Sequence, residues 1–74
     1  MNPDVLELIG ALRVELARLQ LPEAEKASAS EIIDAVEHQV QAEKPSKVAV
    51  KTLLSALPHA ASIASIVSAI AALL

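Results

Sequence analysis

Large aliphatic residues recur along this chain at helical spacing, and four prolines divide the pattern into segments. In the first segment Val5, Ile9, Leu12, Leu16 and Leu19 follow one another at intervals of four and three, which sets them along one stripe of a helix over about residues 3–20. The stripe amounts to a short coiled-coil-like seam, and Leu6, Leu8 and Val14 widen its apolar arc enough to meet more than one neighbour. Asn2 and Pro3 suit an N-cap and a first helical position, because proline lacks only an N–H that would be unpartnered there anyway. Gly10 inside the segment costs about 1 kcal/mol relative to alanine, or permits a close helix crossing.

Pro22 closes this segment, since the residue before a proline is pushed out of the α region. The next helix is expected over about residues 22–43, with Glu23 and Glu25 near the positive end of its dipole. A later start is the alternative, because Ser28 and Glu31 have capping-box spacing. In both versions Ile32, Ile33, Val36 and Val40 form the apolar face, while Glu31, Asp34, His38 and Gln41 point elsewhere. A third helix over about 45–57 presents Val50, Leu53, Leu54 and Leu57, with Lys44, Lys47, Lys51 and Ser55 opposite. Pro58 kinks it or opens a fourth helix over about 58–74. There Ile63, Ile66, Val67, Ile70, Leu73 and Leu74 share one stripe, and Ser62, Ser65, Ser68, Ala69 and Ala72 lie largely off it.

The pattern therefore predicts an all-α chain, a single small domain of three to four helices over residues 1–74 arranged as a helical hairpin or bundle. A chain of 74 residues draws at best about 3–5 kcal/mol from a single core. This one has no cysteine for a disulfide and no Phe, Trp or Tyr to supply large burials. Oligomerisation is the remaining way to gain stability, so the bundle is expected to be completed by homo-oligomerisation. The candidate interface is the first stripe, Val5, Ile9, Leu12, Leu16 and Leu19, together with Ile63, Ile66, Val67, Ile70 and Leu73 of the tail. A net charge of −3 and the absence of aromatic platforms argue against a nucleic-acid partner. Acidic residues where a signal peptide would be basic point to a cytoplasmic protein.

One feature of composition supports a second reading. From Thr52 to Leu74 there is no Asp, Glu, Lys or Arg, and a straight helix of that length would span about 30–35 Å, enough for a bilayer core. Lys44, Lys47 and Lys51 precede it as a cytoplasmic flank would, and Ala61, Ser65 and Ala69 repeat every four residues as in close-packed membrane helices. Against membrane association stand Pro58 and His59, which leave only 15 residues beyond them, and a one-sided arrangement of Ile, Val and Leu that lipid does not require. Packing against partner chains accounts for both the stripe and the small residues.

Reactive chemistry is sparse. Glu31, Asp34 and His38 have the spacing of one helical face and could together ligate a metal, but the commoner meaning of such spacing is a solvated face with weak ion pairs. His59 has the chemistry of a pH-sensitive residue and sits where an ordinary polar side chain at a kink would. The serines stand among alanines as small packing residues and have no histidine–carboxylate set beside them. Lys44, Lys47 and Lys51 form a row suited to an acidic partner or lipid headgroups, or to Glu37 or Glu43 of another copy. No catalytic, cofactor-binding or metal residue is assigned, and no small-molecule substrate is evident.

The stretch "AVEHQVQAEKPSKVAVKTLLSALPHAASIASIVSAIAALL" resembles the C-terminal helical oligomerisation segment of small bacterial proteins and of conflict-system and effector proteins. The likeness lies in an acidic helix with Glu37 to Glu43, a break at Pro45, a basic helix from Lys47 to Leu57 and a small-residue-rich apolar tail from Ala60 to Leu74. The resemblance implies a non-enzymatic scaffold or association element of a bacterial effector or defence-type protein. A small membrane-inserting protein, pore-forming or tail-anchored through residues 52–74, is the alternative. On this reading, replacing Ile66 and Ile70 together by Asp converts an assembly to monomers or unfolds it, and a variant that keeps its sedimenting mass removes the tail from the interface.

Overall fold

Helix-forming segments between the prolines become four helices in the computed structural model, which describes residues 3–74. They are α1 (Pro3–Arg18), α2 (Glu23–Val40), α3 (Lys47–Ser55) and α4 (Ala61–Leu73), and no strand occurs among the described residues. The expected N-cap Asn2 lies outside the described residues. α2 takes the earlier of its two possible starts. Pro22 stands at its N-cap and accepts from the Lys26 amide at 3.0 Å, so Ser28 and Glu31 fall inside the helix and no side-chain capping bond is made there. Ser46 caps α3, its hydroxyl accepting from the Ala49 amide at 3.1 Å, and Val50 N–H reaches back to the Ser46 carbonyl.

The charge-free run is broken rather than continuous. α3 ends as the amides of Ala56 and Leu57 turn back to the carbonyls of Leu53 and Leu54, and Pro58 offers no N–H to continue. Ala60 N–H donates to the Pro58 carbonyl at 3.0 Å, which closes the turn before α4. The 13 residues of α4 therefore span about 20 Å, against about 30 Å for a bilayer core. Among the described residues no helix is long and apolar enough to cross a membrane.

α1 occupies the middle of the bundle, packed against α4 and α2, while α3 packs against α2. Its stripe of Val5, Ile9, Leu12 and Leu16 meets Ala29, Ile33, Val36 and Val40 of α2, Val50 and Leu54 of α3, Leu57 of the connecting turn, and Ile63 and Ile70 of α4 in one continuous core. Every buried residue in that core is apolar, and no buried side-chain nitrogen or oxygen is left unpartnered among the described residues. The Cα radius of gyration is 11.5 Å, close to the about 11 Å typical of a folded chain of this length.

This packing changes the meaning of the stripes. Val5, Ile9, Leu12, Leu16, Ile63 and Ile70, expected at an interface between copies, are buried against the chain's own helices, with Leu12 and Ile70 at 0 % exposure. Leu19, Ile66 and Val67 are half-buried on the margin of the same core, and only Leu73, at 38 % exposure, faces outward. The physical reason is the break at Pro58, which lets α4 fold back on α1 and cover with one segment the stripe of another. Replacing Ile66 and Ile70 by Asp places a carboxylate in the core, so its expected result is unfolding of the chain itself.

Two substitutions test this core from opposite sides. Leu12→Ala should cost about 2–5 kcal/mol, comparable with the whole stability of so small a domain, and its circular dichroism at 25 °C should show substantial loss of helix. Gly10→Ala should raise the melting temperature, by up to about 1 kcal/mol of stability, because a methyl group there meets nothing within 4 Å and relieves a mid-helix glycine. A lower melting temperature for Gly10→Ala would mean that another chain covers that side of α1.

Candidate association surfaces

With Ile63 and Ile70 turned into the core, the outward side of α4 is left with Ala61, Ser65, Ser68 and Ala72, all exposed and spaced by four, three and four. Ala64 and Ser62 are exposed beside them, and Leu73 ends the face. No residue of α4 is charged. A helix on a globular surface ordinarily turns charged side chains to water, and small neutral side chains in their place allow another helix to approach closely. The exposed side of α4 is thus its small-residue side, opposite the stripe that periodicity marks.

A different surface lies on α3. Val48 is 75 % exposed and is flanked by Lys47 and Lys51, with Lys44 in the preceding turn. All three lysines are exposed, and none forms an ion pair among the described residues. Thr52 Oγ1 donates to the Val48 carbonyl at 2.8 Å and Ser55 Oγ donates to the Thr52 carbonyl at 2.7 Å. These hydroxyls are spent on the helix's own backbone, and the face is accordingly apolar between its cations.

Polar contact between helices is concentrated at Arg13. Its Nη2 donates to Asp34 Oδ1 at 2.7 Å and to Glu37 Oε2 at 2.8 Å, tying α1 to α2 at the edge of the core. Hydrogen bonding to Asp34 holds the guanidinium proton more firmly than in a free arginine, burial opposes this, and the bond to Glu37 adds to it. The contact removes Asp34 from the metal set that Glu31, Asp34 and His38 suggest, and among the described residues no three metal-ligating groups converge. It also engages Glu37, one of the two acids, with Glu43, that the lysine row of another copy could meet. The sequence holds the residues of this tie, Arg13 beside the α1 stripe and Asp34 and Glu37 beside that of α2, but they lie more than 20 residues apart and periodicity does not pair them.

Two of the shallow grooves on the surface lie along α2. One of about 200 Å³ lies between α1 and α2 beside Arg13 and Lys26, floored by Leu16 and Ile33. The other, of about 540 Å³, exists because α3 is half as long as α2 and leaves the first turns of α2 facing the connecting loop. His59 is exposed on its rim, with Glu25 and Ser28 across from it. No hydrogen bond joins His59 to Ser28 or Glu25 among the described residues, and no histidine lines the groove between α1 and α2.

Arg13→Ala should lower stability by about 1 kcal/mol or less, since solvent screens a fork whose cation is 35 % exposed. A double-mutant cycle with Asp34→Ala, read by urea unfolding, should show a coupling of a few tenths of a kcal/mol, and zero coupling would remove the tie between α1 and α2. Comparison with protein-family models, with curated proteins and with solved structures finds no match for this chain.

Proposed function

We propose that this chain is a non-enzymatic association module whose copies meet through the outer side of α4. The observation that carries the reading is an exposed helix face without a single charge, Ala61, Ser65, Ser68 and Ala72, on a chain whose other helices all carry charged residues. Keeping such a face in water forgoes the usual solubilising charges, whereas helix pairing uses its smooth, small-residue surface. The likeness of residues 35–74 to bacterial oligomerisation segments supports the same reading and suggests a scaffold within an effector or defence-type assembly. Membrane insertion of residues 52–74 would instead require α3, the Pro58 turn and α4 to refold into one longer helix.

Sedimentation equilibrium in detergent-free buffer, read by interference because the chain has no Trp or Tyr, tests the proposal. A discrete mass at a multiple of 7.7 kDa is expected at both low and high salt. The variant Ser65→Lys with Ser68→Glu keeps the net charge and changes only exposed positions, so at 500 mM NaCl it should sediment as a single chain with its helical circular dichroism intact. At 500 mM NaCl, a wild-type protein at single-chain mass, or a folded variant that keeps the assembled mass, would overturn the assignment.

A further inference from the structure

Charge is divided along this chain in a way that the fold converts into two surfaces. All nine acidic residues lie at or before Glu43, together with Arg13, Arg18 and Lys26, so the first 43 residues carry a net −6. From Lys44 onward the only formal charges are three lysines, Lys44, Lys47 and Lys51. In three dimensions the positive set occupies the outer side of α3 and the turn before it, around the exposed Val48. The negative set is spread over α1 and α2. On α2, Glu23 and Glu31 are exposed and unpaired, and Ala24, Ala27 and Ala35 lie exposed near them. Internal pairing does not use up these charges: Arg13 takes Asp34 and Glu37, Arg18 takes Glu15, and the lysines of α3 are left over.

We propose that the basic face of α3 docks on the acidic, alanine-rich outer face of α2 in a second copy of this chain. Lys47 and Lys51 pair with Glu23 and Glu31 of that copy, and Val48 seats among its exposed alanines. Charge complementarity selects this occupant, because the chain's own surface supplies the acids that its lysines lack. α2 and α3 are packed neighbours within each copy, and a two-fold arrangement in which both faces pair at once closes as a dimer. An anionic bilayer is the weaker match: three lysines fall short of the four to eight typical of a basic membrane patch, and the rest of the chain carries a net −6 that such a surface repels.

This contact goes beyond the pairing through α4 proposed above and is separable from it by salt. Exposed ion pairs are screened within about 10 Å at 0.1 M salt, whereas an apolar helix contact is not. Sedimentation velocity with interference detection should show a contact that weakens by about tenfold or more between 20 and 500 mM NaCl, leaving the salt-stable unit of α4 if that reading holds and single chains if it does not. Lys47→Glu with Lys51→Glu, and separately Glu23→Lys with Glu31→Lys, should each abolish the salt-sensitive step while remaining helical, as all four positions are exposed. Mixing the two variants should restore it, because each then presents the charge that the other's altered face needs.

A mass that does not respond to salt, or a mixture of the two folded variants that fails to reassociate, would overturn the proposal. So would lysine-dependent flotation with phosphatidylserine vesicles in a chain whose mass is indifferent to salt, which would assign the basic face to a lipid surface.

Discussion

Everything in this fold depends on the burial of one aliphatic stripe on α1. Val5, Ile9, Leu12 and Leu16 lie between α2 and α4, and the remaining buried residues close around them. The chain has no aromatic ring or disulfide to share the work, and no polar residue is buried among the described residues. Branched and linear aliphatics must therefore interlock at close range, since dispersion and the exclusion of water are the principal stabilising terms available. The break at Pro58 is the topological condition for that burial. It releases α4 from α3 and turns its Ile63 and Ile70 onto the central helix.

Much of this was legible in the residues themselves. A count of three to four helices, their approximate limits and the inward faces of α1, α2 and α3 follow from periodicity and proline placement, because a 3.6-residue repeat and a missing N–H act locally; whether Pro58 kinks a helix or divides two, and where α2 starts, do not. The partner of each stripe does not. Periodicity shows that Ile63 and Ile70 are buried without showing by what, and a small aromatic-free chain invites the expectation that another copy covers them. The fold assigns that role to α1 of the same chain. Arg13 was hidden for a related reason, since its partners Asp34 and Glu37 lie more than 20 residues away and only the crossing of α1 with α2 joins them.

Once the stripes are consumed internally, the surface acquires a different logic. α4 shows water a neutral side of alanine and serine, α3 shows three unpaired lysines around a valine, and α2 shows unpaired glutamates among alanines. An apolar contact and an electrostatic one respond oppositely to salt, so a chain with both can assemble in separable steps. Small side chains recur on the α2 and α4 faces, which lowers the steric barrier to helix approach there. Folding thus uses the large aliphatics, and the proposed association is separate from it, drawing on small and charged residues.

That separation is tested most directly by following helicity and mass together on dilution. Circular dichroism at 222 nm, measured over a hundred-fold dilution alongside sedimentation at the same concentrations, should show the mass falling while the helical signal per residue stays constant. Loss of helix in step with loss of mass would contradict the account. It would mean that α1 and α4 cover their stripes with another copy's helices and that the chain does not close its own core.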